Sequence, residues 1–449
     1  MEERKFETLL GFIEQKQYHQ LRAALADMNE VDVAQFIEEE LPEEKQPVVF
    51  RMLPKEMAAD VFSELSGEVQ ENLVMASTDK ELSFIVEDLY VDDAVDMLEE
   101  LPANVVKRVL KNATPATRSL INQFLQYPEN SAGSVMTAEF TDLRKDMTVA
   151  DAIDHIRRTG EDRETVYTCY VLGERRVLEG VVSVKDLLLN SDDRRIADIM
   201  DDDVISVVTT DDREEAARLF SKYNLLSLPV VDKEKRLVGI VTVDDAVDVM
   251  EEEATEDFEK MAAMHPSERP YLKTGVFTLA KNRIGWLLVL MISAMITGGI
   301  LEGFEAAIAT MPLLVSFIPM LTDTGGNAGS QSATMVIRSM ALGEISTSDL
   351  LRILWKEVRV ALLVGVALAG VNYIRLILTY PGQEMVALTV SISVLLTVIL
   401  AKAVGGVLPI LAKICHFDPA IMASPLITTI VDAFALVIYF NIAKALIAF

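Results

Sequence analysis

Apolar residues are distributed in two ways along this 449-residue chain. Beyond residue 283 they run in long stretches almost free of charge. Residues 284–301 carry none, 306–337 only Asp323, 360–380 only Arg375, 385–401 none before Lys402, and 419–443 only Asp432. Stretches of this length predict five helices able to cross a bilayer. Before residue 270 the apolar positions are periodic instead. Their spacing is helical from 1 to 130 and mixes helical with strand-like runs from 131 to 243. A strongly acidic helix is predicted from 244 to 264, within a link that reaches 270.

The 306–337 stretch is expected to be irregular. Pro319 removes a backbone donor, and Thr324-Gly325-Gly326-Asn327 followed by Gly329 places small residues near mid-membrane. A broken segment there, with backbone carbonyls lining a cavity, is tolerated only where protein or water surrounds it. The competing expectation is close helix packing on the glycines.

In the front part, DVAQFIEEELP at 32–42 returns as DAVDMLEELP at 93–102, with ADVFSELSGE at 59–68 between them. A repeat of about thirty residues with helical periodicity predicts a stacked-helix superhelix. From 131 a second duplication begins. Each copy opens on a methionine-centred turn, SVMTAEF at 134–140 and DIMDDDV at 198–204, and continues through a helix to VYTCYVL at 166–172 or SLPVVD at 227–232. Each closes on a parallel phrase, GVVSVKDLL at 180–188 and GIVTVDDAV at 239–247. This order of landmarks resembles a pair of CBS domains. The resemblance implies that Ser183 with Asp186, and Thr242 with Asp245, present a hydroxyl and a carboxylate to an adenosine nucleotide such as ATP. The competing expectation is a tandem that only dimerises.

Charge divides the chain at the same place. Residues 1–270 carry 60 acidic against 30 basic residues, whereas 271–449 carry 9 and 11. An acidic head repels nucleic acid and anionic lipid and attracts cations. MEERKFETLL lacks the apolar core of a cleavable signal, so the head is expected in the cytosol. Lys273, Lys281, Arg283, Arg338, Arg352, Lys356, Arg359, Lys402 and Lys413 fall on the head's side, and Glu302, Glu305 and Glu384 fall opposite. With five spans this bias puts the C-terminus outside. Cys169 and Cys415 are far apart and the four histidines are scattered, which argues against a disulfide framework or a zinc site. No phosphate-binding loop, nucleophile elbow or zinc-binding helix motif is present, so an enzyme is not expected.

The candidate chemistry lies in carboxylates. Asp432, near the middle of an apolar span, is costly there unless it faces a bundle interior or a water-filled route. Its alternative is a structural ion pair, but Arg338, Arg359, Arg375 and Lys402 all fall at or near predicted helix ends, where they would snorkel. On the acidic helix, Asp245, Asp248 and Glu252 share a face, Glu256 follows a turn later, and Glu253 and Asp257 lie beside them. Asp92, Asp93, Asp96 and Glu99 form a second cluster. Such faces repel unless solvent or divalent cations offset them, and hard cations suit oxygen ligands.

Taken together, PMLTDTGGNAGSQSAT at 319–334, DDAVDVMEEEATEDF at 244–258 and DPAIMASPLITTIVDAFALVIYF at 418–440 resemble the MgtE-type magnesium channels over essentially the whole chain. The resemblance implies a multi-domain fold: an all-α superhelical N-domain (1–130), an α/β CBS pair (131–243), an acidic linking helix (244–270) and a five-helix transmembrane domain (271–449). It also implies a homodimer in the cell membrane, in contact with lipid, with a pore on its two-fold axis. Asp432 would supply the selective carboxylates, with Gly325, Gly326 and Asn327 close by. Cytosolic Mg2+ would bind Asp92, Asp96, Asp245, Asp248, Glu253, Glu256 and Asp257. Two other readings remain open: a carrier of another divalent ion such as Co2+ or Mn2+, and a membrane-anchored nucleotide receptor.

Overall fold

The structure is a computed structural model that describes residues 2–267, 271–272, 274–422 and 424–447; Lys273 and the 268–270 end of the link lie outside these. The chain divides into two compact units, Met1–Met250 and Glu251–Phe449.

The first unit begins with short helices: α1 (Glu2–Glu14), α2 (Tyr18–Ala26), α3 (Glu30–Gln35), α4 (Gln46–Phe50), α5 (Lys55–Ser63), α6 (Gly67–Ala76), α7 (Asp79–Asp88), α8 (Val91–Glu100), α9 (Ala103–Asn112) and α10 (Pro115–Phe124). Their shortness follows from punctuation. Leu-Pro pairs at 53–54 and 101–102 place a proline at the N-caps of α5 and α9, where its missing donor costs nothing, and Thr78 closes a capping box on α7.

Two copies of an α/β unit follow. The first holds β1 (Phe140–Leu143), α11 (Val149–Thr159), β2 (Thr165–Leu172), β3 (Leu178–Ser183) and α12 (Val184–Leu189). The second holds β4 (Val207–Val208), α13 (Arg213–Tyr223), β5 (Ser227–Val231), β6 (Leu237–Thr242) and α14 (Val243–Met261). Each forms a three-stranded sheet with one parallel pair joined by its helix and one antiparallel hairpin. The copies are interlocked, because each methionine turn pairs with the other copy's hairpin: Thr137 bridges Ile240, and Asp201 bridges Val181. Gly239 and Gly180 make room for these crossings. A Cβ on Gly180 would lie 2.9 Å from the Asp201 carbonyl oxygen.

One buried cluster runs from Phe6 and Leu21 through Val95 and Val109 to Phe220, Val230, Ala246 and Val249. The start of α14 therefore belongs to this core, and the boundary between the units falls inside that helix.

The second unit contains α15 (Val276–Glu302), α16 (Glu305–Thr310), α17 (Ile318–Ala341), α18 (Leu350–Thr379), α19 (Glu384–Ile414) and α20 (Ser424–Leu446). Four helical stretches among the described residues, 276–302, 347–379, 384–414 and 419–446, are long and apolar enough to cross a membrane. The fifth long helix, α17, is not among them; Thr324-Gly325-Gly326-Asn327 and Ser330-Gln331-Ser332 dilute its apolar content.

Two sequence expectations are corrected here. The 306–337 stretch is irregular, but not at its glycines: α17 is continuous through Gly325 and Gly326, and the break lies upstream, in a 3-10 turn at Pro312–Phe317 that Pro319 follows. The glycines serve close packing. A Cβ at Gly325 would lie 2.6 Å from Thr397 and 2.8 Å from Val431, and one at Gly326 would lie 2.8 Å from Thr428. Likewise, the 385–401 stretch does not end at Lys402. Helix α19 continues to Ile414 past Pro409, and Lys402 is buried at 5 % exposure rather than snorkelling at an end.

Candidate functional site

Helix α17 lies between α19 and α20, contacting both. Its glycine face is spent on those neighbours. A different face carries Asp323, Asn327 and Gln331, spaced four apart and therefore stacked one above the other, and all three are exposed. The glycine contacts run antiparallel, Gly325 meeting Val431 and Gly329 meeting Ile427. Asp323 is thus brought to the level of Asp432, which is half-buried on α20 and feels the Asp323 charge. Among the described residues Asp432 has no basic partner, so the structural ion pair weighed for it is absent. A polar stripe with two like carboxylates, set amid apolar helices, is suited to a water-filled cation route rather than to lipid contact. Asn327 belongs to that stripe, whereas Gly325 and Gly326 bring α17 and α20 together. Asp323 was visible as the lone charge of its stretch, but its pairing with Asp432 depends on helix packing that periodicity does not carry.

The second carboxylate assembly is in the first unit. On α8, Asp92 is only 9 % exposed and its Oδ1 has no hydrogen-bond partner, Asp93 is half-buried, and Asp96 points to the exposed side. Burial, then the charges of Asp93, Asp245, Glu164 and Glu139, holds the Asp92 carboxyl well above the usual range. Burial with Asp245, Glu64, Asp60 and Asp244 pushes Asp93 up to about 7, and burial with Asp245, Asp244, Asp93 and Glu139 pushes Glu164 up to about 8. Asp248 acts on Glu64 and Asp245 from its place on α14. The cluster therefore gathers Asp92, Asp93, Asp245 and Asp248 but adds Glu64 and Glu164, which come from distant parts of the sequence and had no local signal.

Among the described residues no three histidine, cysteine, aspartate or glutamate side chains converge into a ready metal-ion cage. The donors fit a hydrated Mg2+, which keeps several waters and needs only one or two carboxylates. The orphaned Asp92 Oδ1 is the atom such an ion would satisfy. Glu253, Glu256 and Asp257 lie in the second unit, where Glu256 pairs with Lys260 at 2.6 Å, and Lys260 also reaches Asp418 at 2.6 Å.

The nucleotide candidates both cap helices. Ser183 Oγ accepts from the Asp186 amide at 3.1 Å, and Asp186 Oδ2 accepts from the Ser183 amide at 3.3 Å. Thr242 donates its amide to Asp245 Oδ2 at 3.2 Å and its hydroxyl to the same oxygen.

Residues 318–442 match the profile of a divalent cation transporter family, MgtE; residues 28–130 match the MgtE intracellular N domain, and 132–192 and 196–252 match CBS domains. The magnesium transporter MgtE of Thermus thermophilus is 37 % identical over 100 % of this chain and 99 % of its own. The chain belongs to the MgtE family. A second MgtE, from Bacillus subtilis, is 32 % identical over 95 % of this chain and 94 % of its own. Among solved structures, the soluble part of a magnesium transporter is 30 % identical, with a TM-score of 0.54, covering 57 % of this chain and all of its own. The cytosolic domain of the Mg2+ channel MgtE in complex with ATP is 38 % identical, with a TM-score of 0.52, covering 54 % and 99 %. MgtE membership, in a family of divalent cation transporters, accounts for an N-terminal helical domain, a CBS pair and a helical membrane region in one chain.

Proposed function

We propose that this chain is a Mg2+-selective channel of the cell membrane, working as a homodimer with five membrane-crossing helices per protomer, α17 being the fifth. The head lies in the cytosol and the C-terminus outside. The observation that carries the reading is the exposed Asp323–Asn327–Gln331 stripe level with Asp432, a polar route among apolar helices that suits a hydrated cation. Mg2+ gives up its waters reluctantly, so carboxylates and amides that grip the hydrated ion select it without stripping it.

The acidic assemblies supply the gate. Mg2+ on the cytosolic side binds at Asp92, Asp245 and Asp248, with Asp96 and the link residues Glu253, Glu256 and Asp257 contributing, and favours a closed state. Helix α14 is continuous between the units, so a change at its first turns is carried into the second unit. ATP binds the CBS pair through the Ser183/Asp186 or Thr242/Asp245 edge; the ATP complex of a 38 % identical cytosolic domain supports this.

Currents through excised patches test the reading. Inward Mg2+ current that declines as Mg2+ is raised on the head side is the expected result. Current insensitive to that Mg2+ contradicts the gate, and no Mg2+ current contradicts the channel.

A further inference from the structure

Lys402 is the feature that transport through α17 and α20 does not by itself use. It lies in the interior of α19 at 5 % exposure, and its Nζ donates to Ser332 Oγ at 3.3 Å and approaches the Ala328 carbonyl oxygen at 3.5 Å. Ser332, itself 2 % exposed on α17, donates to Glu357 Oε2 of α18 at 2.5 Å. One hydroxyl thus joins an ammonium and a carboxylate from two other helices. A charge so deep in a membrane bundle is retained only where partners satisfy it.

The surroundings say what the bridge is for. Beside it α17 and α19 touch backbone to backbone, since a Cβ on Gly405 would overlap the Gly329 carbonyl. Gly326 lies against Thr428 of α20, and Gly325 and Gly329 sit between the two neighbours, meeting Thr397 and Ala401 of α19 as well as Val431 and Ile427 of α20. Glycine faces are smooth. They allow close approach but offer few knobs to stop one helix sliding or turning on its neighbour. A slip of one residue moves a helix by about 1.5 Å and turns its side chains by about 100°. Buried polar contacts are the devices best known to fix such a register.

We propose that Lys402, Ser332 and Glu357 form a positioning bridge that locks the register of α17 and so sets where Asp323 stands relative to Asp432. The proposal rests on the reading of those carboxylates as lining the ion path. Ser332 is nine residues along α17 from Asp323, about 13 Å at 1.5 Å per residue, so the bridge acts at a distance and touches no ion itself.

The test is Mg2+ and Ca2+ influx into proteoliposomes of the full chain, with Ser332→Ala, the charge-free pair Lys402→Met with Glu357→Gln, and the exchanged pair Lys402→Glu with Glu357→Lys. Asp432→Ala is measured alongside. Ser332→Ala removes only one oxygen, which keeps a folded variant in the series. The expected result is a higher half-saturating Mg2+ concentration and a clearly reduced Mg2+ over Ca2+ preference in the first two. The exchanged pair regains preference. Variants that are less heat-stable yet keep wild-type preference and half-saturation overturn the proposal and leave the bridge as a fold support. Influx in Asp432→Ala equal to wild type would instead overturn the ion-path reading, and this proposal with it.

Discussion

At the residue scale the proposed function rests on two carboxylates that are held in different ways. Asp432 sits on a membrane helix with a second carboxylate, Asp323, as its charged neighbour and, among the described residues, no basic side chain to quiet it. Asp93 sits in the head among Asp245, Glu64 and Asp60, with burial as the larger cause of its raised value near 7. A carboxyl raised on folding favours the folded state most fully below its ordinary value and loses that contribution as pH rises through the raised one. For Asp93 and Glu164 the loss proceeds from the ordinary carboxyl range upward and is complete only above about 7 and about 8, their folded values. The head of the full-length protein, in divalent-free buffer, should therefore become more sensitive to protease between about pH 6 and about pH 9. Mg2+ should reverse this and release protons as it binds. Asp93→Asn removes one member of the repulsion, so it should flatten the pH dependence and weaken the Mg2+ protection. An unchanged pH profile in that variant would mean that the cluster does not behave as one electrostatic unit.

At the scale of elements, the membrane helices are ordered by how closely their backbones approach. Gly405→Ala forces a methyl against the Gly329 carbonyl, and overpacking of this kind costs about 1–3 kcal/mol. Gly370→Ala in α18 meets nothing within 4 Å and serves as the control. Scanning fluorimetry in detergent should show a lowered unfolding midpoint for the first and none for the second; equal midpoints would contradict the packing described.

The elements that local pattern could find are those whose partners are local. The two α/β copies were legible because their landmarks repeat in order, and β2 and β5 fall where the strand-like runs at 166–172 and 227–232 predict them. Helix ends in the membrane were not. Reading 385–401 as a span stopped at the first charge, yet Ser332, brought from another helix, lets α19 run on past Lys402. Glycine weakens an isolated helix and also lets helices approach, so Gly325-Gly326 fits a break as well as close packing; it is continuous helix because its neighbours fill the space a side chain would take. The same limit applies to the sites. Asp432 stood out from its own span and Asp93 from its acidic cluster, whereas the pairing with Asp323 and the approach of Glu64 and Glu164 are made only by the fold.

For the whole molecule the proposed gate works by linkage. An ion that binds the closed state better than the open one shifts the population by its differential affinity and by nothing else. Moving from 1:99 to 99:1 takes about 5.5 kcal/mol, so several weak carboxylate sites suffice at roughly 1 kcal/mol each. Neutralising Asp248 and Glu256 together should leave permeation intact and raise the internal Mg2+ needed for closure. A variant that conducts nothing, or closes at the wild-type level, would show that these residues are not the sensor.

The most direct measurement is Mg2+ influx into proteoliposomes loaded with an internal Mg2+ indicator, comparing wild type with Asp432→Ala at low internal Mg2+. Robust influx in wild type and its loss in the variant, with fold and oligomeric size unchanged, are the expected results. Equal influx in the two would make Asp432 structural and contradict the conduction path drawn here.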